Sequence, residues 1–201
     1  MTDTQIAKDR IAFLRGLRAV RQFRPDPIPQ EVVDDILEVA RWSGSAGNRQ
    51  PWEFVVIRDR QTLRTLAAVE GYAGHLAGAA LGIVLVMAGK RAEQEIYDEG
   101  RLCERIMLAA AAYKVGSSIG WFVGSGVEAV KEILGVPSER RVRTALSLGY
   151  PDEEAQRSRI RRHAWGRWKC LWIRCWQPID DRQAGLDRRA VPGIDAPLNR
   201  R

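Results

Sequence analysis

The chain has 201 residues, 45% of them apolar and 28% charged, and a formal net charge of +7. That balance belongs to a soluble globular domain and excludes collagen-like, disulfide-scaffold and wholly disordered chains. No apolar run reaches the ~20 residues that a membrane-spanning helix needs, and the opening Met1-Thr-Asp-Thr-Gln lacks the basic-then-apolar order of a secretory leader. The expectation is a cytoplasmic protein with no membrane partner. Residues 1–150 hold 20 basic and 18 acidic side chains, whereas residues 151–201 hold 12 and 7. The basicity therefore belongs to the tail.

Residues 3–17 carry Ile6, Ile11, Leu14 and Leu17 at loose helical spacing. A basic run follows, Arg18-Ala-Val-Arg21-Gln-Phe-Arg24, and it ends at Pro25-Asp-Pro27-Ile-Pro29, which must be extended because each proline fixes its φ and disfavours helix before it. Val32, Val33, Ile36, Leu37 and Ala40 predict a helix that stops near Trp42, where Ser43-Gly-Ser-Ala-Gly-Asn48 supplies turn residues. Phe54–Ile57 and Ile83–Met87 read as buried strands, with a short helix over Gln61–Val69 between them. Leu102, Cys103, Ile106, Met107, Ala110 and Tyr113 outline a long helix, with Gly116 as its C-terminal glycine. Its alanine-rich run suits close helix packing. Val127–Leu134 reads as a further helix and Arg143–Gly149 as a third strand. Helices and strands mix without strict alternation, which predicts an α+β fold. From Asp152 the chain changes: Trp165, Trp168, Trp172 and Trp176 stand at helical spacing on a basic background. This divides the sequence into a domain over 1–151 and a Trp/Arg-rich extension over 152–201.

Common signatures are missing. There is no G-x-G-x-x-G after a strand, no G-x-x-x-x-G-K-[ST] and no G-x-S-x-G elbow. Cys103, Cys170 and Cys175 form no CxxC pair, and only His75 and His163 could complete a metal set, so no metal is expected. Two features remain. Arg18, Arg21 and Arg24 offer guanidinium forks suited to phosphate, although such a cluster is also what a solvated face looks like. The segment Ser45-Ala-Gly-Asn48-Arg-Gln50-Pro51-Trp52 offers a hydroxyl and two amides, which both donate and accept and suit the edge of a heterocycle. It would serve equally as a helix-to-strand connection.

The pair of segments Arg18-Ala-Val-Arg21-Gln-Phe23 and Ser45-Ala-Gly-Asn48-Arg-Gln50-Pro-Trp52-Glu-Phe-Val-Val, separated by an amphipathic helix, resembles the nitroreductase family of FMN-dependent oxidoreductases. Leu108–Trp121 is similar to the family's long central helix and the glycine-containing loop after it, and Leu146-Ser-Leu-Gly149-Tyr-Pro151 to its final core strand. The likeness spans about residues 10–151. It implies a mostly antiparallel sheet flanked by helices, an intertwined homodimer, and FMN at the subunit interface. Arg18 and Arg21 would clamp the phosphate and ribityl chain, and Ala19 stands where many members have serine. Leu17 stands where many have a further basic residue, with Arg15 or Arg24 as substitutes. Ser45, Asn48 and Gln50 would line the flavin from the partner chain. Ile119, Gly120 and Trp121 match the segment that passes the isoalloxazine ring, where a backbone N–H approaches N5.

The implied chemistry is a ping-pong transfer of hydride from NADH or NADPH through flavin N5 to a nitroaromatic, quinone or similar electron-poor acceptor, with no catalytic side chain. The family's usual C-terminal basic residue on the phosphate has no clear copy after Pro151; Arg161 and Arg162 are the candidates. The compositional break there fits a frameshifted ending, which the coding DNA decides. Two other readings stay open: a flavin-binding or flavin-processing protein of this fold without NAD(P)H oxidoreductase activity, and a nucleic-acid-binding protein that uses the basic tail. The main reading expects no nucleic-acid partner.

Overall fold

The computed structural model describes residues 2–155. Helix α1 covers Asp3–Gly16 and is capped by Thr2, whose hydroxyl accepts from the Gln5 N–H. None of its residues is buried, although it carries Ile11, Phe13 and Leu14. After the proline-rich stretch, α2 spans Gln30–Arg41 and buries Val32, Val33, Ile36 and Ala40, the face that its apolar spacing marks out. Strand β1 is Trp52–Ile57, and α3, Arg60–Ala68, starts at Asp59, whose carboxylate accepts from the Thr62 N–H at 2.7 Å. Strand β2, Leu81–Met87, is buried at every position. Helix α4, Ala92–Ala112, is followed by β3, Gly116–Trp121, then α5, Ser125–Leu134, and β4, Arg141–Gly149.

The four strands form one antiparallel sheet in the order β1-β2-β4-β3. A continuous apolar run such as β2 is what a strand covered on both faces requires. One core joins α2 and α4 to the sheet through Ile36, Ile83, Leu85, Leu102, Ile106 and Leu146. The other joins α3 and α5 to the opposite face through Leu63, Leu66, Val84, Phe122, Val130 and Val142. No helix among the described residues is long and apolar enough to cross a membrane. The α+β expectation holds, with an antiparallel sheet flanked by helices.

Three local expectations are corrected. Helix α4 begins ten residues earlier than Leu102, because Glu95, Asp98 and Glu99 are buried in its first half and break the apolar pattern there. Glu95 turns back to accept from the backbone N–H groups of Gly89, Lys90 and Arg91, and Arg141 meets Glu99 at 2.9 Å. Helix α4 ends at Ala112, and the residue that turns left-handed after it is Lys114, not Gly116. Gly116 opens a fourth strand in place of the expected loop; a Cβ there would sit 2.7 Å from Val20. The four spaced tryptophans of the tail lie outside the described residues.

Candidate functional site

The expected site residues fall on the two outer edges of the sheet. Strand β3 is one edge. Val20 donates its N–H to the Ser117 carbonyl at 2.8 Å, and Ala19 bridges Ser117 in parallel. At the other end of the strand, Tyr72 donates to the Trp121 carbonyl. Both carbonyls point away from β4, so by the alternation of an antiparallel ladder the N–H and C=O of Ile119 point outward as well, in the open stretch between the two contacts. The segment 18–20 thus meets the start of β3 at Gly116 and Ser117, and Phe23 and Arg24 pass on to Gly149 and Tyr150. Arg18, Ala19 and Arg21 stand beside the start of the strand whose other half holds Ile119, Gly120 and Trp121.

The extended segment sends Arg18 and Arg21 to different sides. Arg18 and Val20 line a cleft of about 890 Å³ with Arg24, Tyr113, Lys114 and Tyr150. Arg18 Nη1 donates to the carbonyls of Arg15 and Leu17, both at 2.7 Å. Arg21 has no ion pair or hydrogen bond among the described residues and acts electrostatically on His75. His75 is the functional candidate that the sequence did not mark. It stands in a short 3-10 turn, Gly74–Gly78, with Nδ1 2.6 Å from Ser147 Oγ. Its Nε2 is buried beside the Ile119 backbone but short of good hydrogen-bond geometry, and Ser118 Oγ, whose residue pairs with Ser147 across β3 and β4, is buried without a partner among the described residues. Gly120 lets this turn pack against the strand: a Cβ there would lie 2.8 Å from Ala73 Cα and 3.0 Å from His75 Nε2. Burial and then the Arg21 charge hold the His75 pKa below its ordinary 6.5, with the Ile119 backbone opposing more weakly.

Ser45, Asn48 and Gln50 stand at the opposite edge, before β1. Gly47, Asn48 and Gln50 all have positive φ, at 62°, 51° and 47°. Non-glycine residues in this region are strained and concentrate at functional positions. The Ser45 hydroxyl accepts from the Gln50 N–H at 2.8 Å, and Gln50 Nε2 donates to Asn48 Oδ1 at 3.1 Å, which clamps the turn. Asn48 and Gln50 remain exposed. Beta1 and β3 are separated by two strands, roughly 14 Å of sheet, and their open edges look in opposite directions. One chain therefore does not bring the two sets together.

The described residues hold no thiol suited to nucleophilic chemistry. Cys103 is buried, and burial together with the Glu99 and Glu104 charges pushes its pKa up to about 12. Among the described residues, the β3 edge offers instead an unpaired guanidinium, buried polar atoms with bonds unmade, an outward backbone N–H and a glycine.

Residues 14–84 match the model of the nitroreductase family. An NADH dehydrogenase of Thermus thermophilus is 30% identical over 174 residues, covering 68% of this chain and 84% of that protein. The chain belongs to the nitroreductase family. Nitroreductase NfnB of Mycolicibacterium smegmatis is 26% identical, with 74% of this chain and 86% of that protein covered. Among solved structures, an FMN-dependent nitroreductase from Clostridium difficile is 27% identical and superimposes with a TM-score of 0.66, covering 71% of this chain and 87% of that one. The family model starts in α1 and ends in β2, so it includes the 18–21 segment, the 45–50 loop and His75. The family is one of oxidoreductases linked to NADH and NADPH, in agreement with the sequence reading.

Proposed function

We propose that the protein is a homodimeric flavin enzyme in which FMN lies between the β3 edge of one copy and the Ser45–Gln50 loop of the other. The observation that carries this reading is the division of the expected site between opposite sheet edges, which a second copy would reunite. Helix α1 supports it. A 14-residue helix that buries nothing while exposing Ile11, Phe13 and Leu14 has an apolar face in search of cover, and a second copy would provide it.

The residues fit the cofactor. Arg21, with Arg18 on the other side of the same segment, would offset the phosphate charge; charge-assisted bonds of this kind contribute roughly 1.5–3 kcal/mol each when shielded from water. Ala19 has no hydroxyl to add to them. His75 Nε2 and Ser118 Oγ are buried behind Gly120 and would back the site with polar groups rather than touch the cofactor. Gly120 leaves room for close approach, and the Ile119 N–H is directed outward toward the place where a ring nitrogen would lie. Ser45, Asn48 and Gln50 of the other copy would supply amide donors and acceptors, and Trp121, 48% exposed, a flat apolar wall. When bound, the flavin supplies hydride acceptance and return at N5. The protein orients the donor and the acceptor in turn at one face, consistent with a ping-pong cycle, and keeps a neutral His75 beside Arg21 so that the arginine is the principal positive charge. Electron-poor nitroaromatics and quinones are the acceptor class that such a cycle serves.

The purified protein is expected to be yellow and to bleach on addition of NADPH or NADH without air. Flavin binding without bleaching would favour a flavin-processing role for the same fold, and a colourless protein that takes up no added FMN would remove the proposal.

A further inference from the structure

At the foot of the Ser45–Gln50 loop, the start of α4 and the end of β2 enclose a second cleft of about 380 Å³, lined by Arg49, Lys90, Arg91, Gln94, Glu95 and Asp98. Its charges are arranged in an unusual way. The guanidinium groups of Arg49 and Arg91 converge on one neutral acceptor, Gln94 Oε1, with Nη1 distances of 3.2 and 3.5 Å. Neither has an acidic partner among the described residues, and the Lys90 ammonium has none either. The nearby carboxylates are engaged elsewhere. Glu95 accepts from the backbone N–H groups of residues 89–91 and lies 3.5 Å from Arg141, and Asp98 faces Arg101 at 3.8 Å. Like charges that meet at a neutral amide repel one another, and a dianion placed between them turns that repulsion into attraction.

We infer that this cleft is a phosphate subsite for the electron donor, in which Arg49, Lys90 and Arg91 take the 2′-phosphate that distinguishes NADPH from NADH. The inference rests on the flavin reading for its location, because Arg49 stands between Asn48 and Gln50 in the loop assigned to the flavin. A phosphomonoester is favoured over the pyrophosphate shared by both donors, since it presents a compact dianion to two forks and one point charge. Arg49, Lys90 and Arg91 are exposed, so replacing them leaves the core intact.

The test is calorimetric titration of the full chain, with and without added FMN, using adenosine 2′-phosphate, adenosine 5′-phosphate and adenosine, alongside the Arg49→Gln/Arg91→Gln variant. The expected result is that adenosine 2′-phosphate binds at least tenfold more tightly than adenosine, as one charge-assisted contact alone implies, that the double variant loses this advantage, and that higher salt weakens binding to the wild type only. In steady-state assays the variant should raise the KM for NADPH at least tenfold and leave that for NADH within twofold. A variant that raises the KM values for NADPH and NADH alike would overturn the assignment to the 2′-phosphate in favour of the pyrophosphate that both donors carry. Equal binding by wild type and variant would overturn the subsite. Because the titration does not need flavin, 2′-phosphate binding by a protein that takes up no FMN would refute the flavin reading and leave the anion site standing.

Discussion

The two outer edges of the sheet differ in how they hold their polar groups. At β3 the functional candidates sit within folded structure: Gly120 lies against Ala73, Ser118 is fully buried, and His75 is pinned to Ser147. Unspent hydrogen-bonding capacity stays on the inside, in His75 Nε2 and Ser118 Oγ. At β1 the candidates are exposed and satisfy one another, and the cost appears in the backbone, as positive φ at Asn48 and Gln50. One edge is a preformed wall with unmade bonds, the other a strained turn held by its own bonds. The contrast fits one composite site in which a rigid half receives a projecting half.

The largest expected effect is at the rigid half. Arg18→Ala/Arg21→Ala should weaken FMN binding by about a hundredfold or more, since two charge-assisted contacts of roughly 1.5–3 kcal/mol each are removed. The melting temperature of the flavin-free protein should stay the same, because both side chains are exposed. Flavin-binding titration together with a melt checks this, and undiminished affinity would refute the phosphate role. Gly120→Ala should destabilise the fold by about 1–3 kcal/mol in urea unfolding, because the added methyl meets Ala73 Cα at 2.8 Å and overpacks the wall. An unchanged unfolding midpoint would show that the turn and the strand separate freely.

At the projecting half the sign reverses. Gln50→Gly should stabilise the flavin-free protein by up to about 1 kcal/mol, because glycine adopts φ near 47° without strain, while flavin affinity falls. A loss of stability would mean that the side-chain clamp outweighs the backbone strain. The smallest effect concerns pH. His75 has its pKa held below 6.5, so the unfolded chain takes up a proton that the native chain refuses. Its contribution to stability is complete above pH 6.5 and is lost as the pH falls from there to the depressed native value. His75→Gln should flatten the unfolding free energy in that window, and an identical pH slope in the variant would contradict the burial argument.

What the sequence disclosed followed the same division. The amphipathic spacing of α2, the continuous apolar run of β2 and the turn residues of 43–48 were all visible, because each is a local pattern with a local cause. The 18–21 and 45–50 segments were visible through their resemblance to a family. Strand β3 was not: Gly116-Ser-Ser-Ile-Gly120 has two glycines and two serines and reads as loop, and only pairing with β4 on one side and Ala19–Val20 on the other makes it a strand. The first half of α4 was hidden because its buried face carries acids whose partners, the 89–91 backbone and Arg141, lie elsewhere in the fold. His75 was hidden for a similar reason. Its role depends on Ser147, Gly120 and Arg21, which are distant in sequence, and a single histidine in a Gly/Ala-rich stretch carries no pattern.

The central claim is that each site is built from two copies, and complementation tests it most directly. Arg18→Ala/Arg21→Ala breaks only the β3 edge, and Asn48→Ala/Gln50→Ala breaks only the loop. Each variant alone should bind flavin at least a hundredfold more weakly and purify colourless. Unfolded together and refolded at equal concentration, they should recover about a quarter of the wild-type flavin, because half of randomly paired dimers are mixed and each mixed dimer has one intact site. A refolded mixture as colourless as its two parents would contradict the composite site.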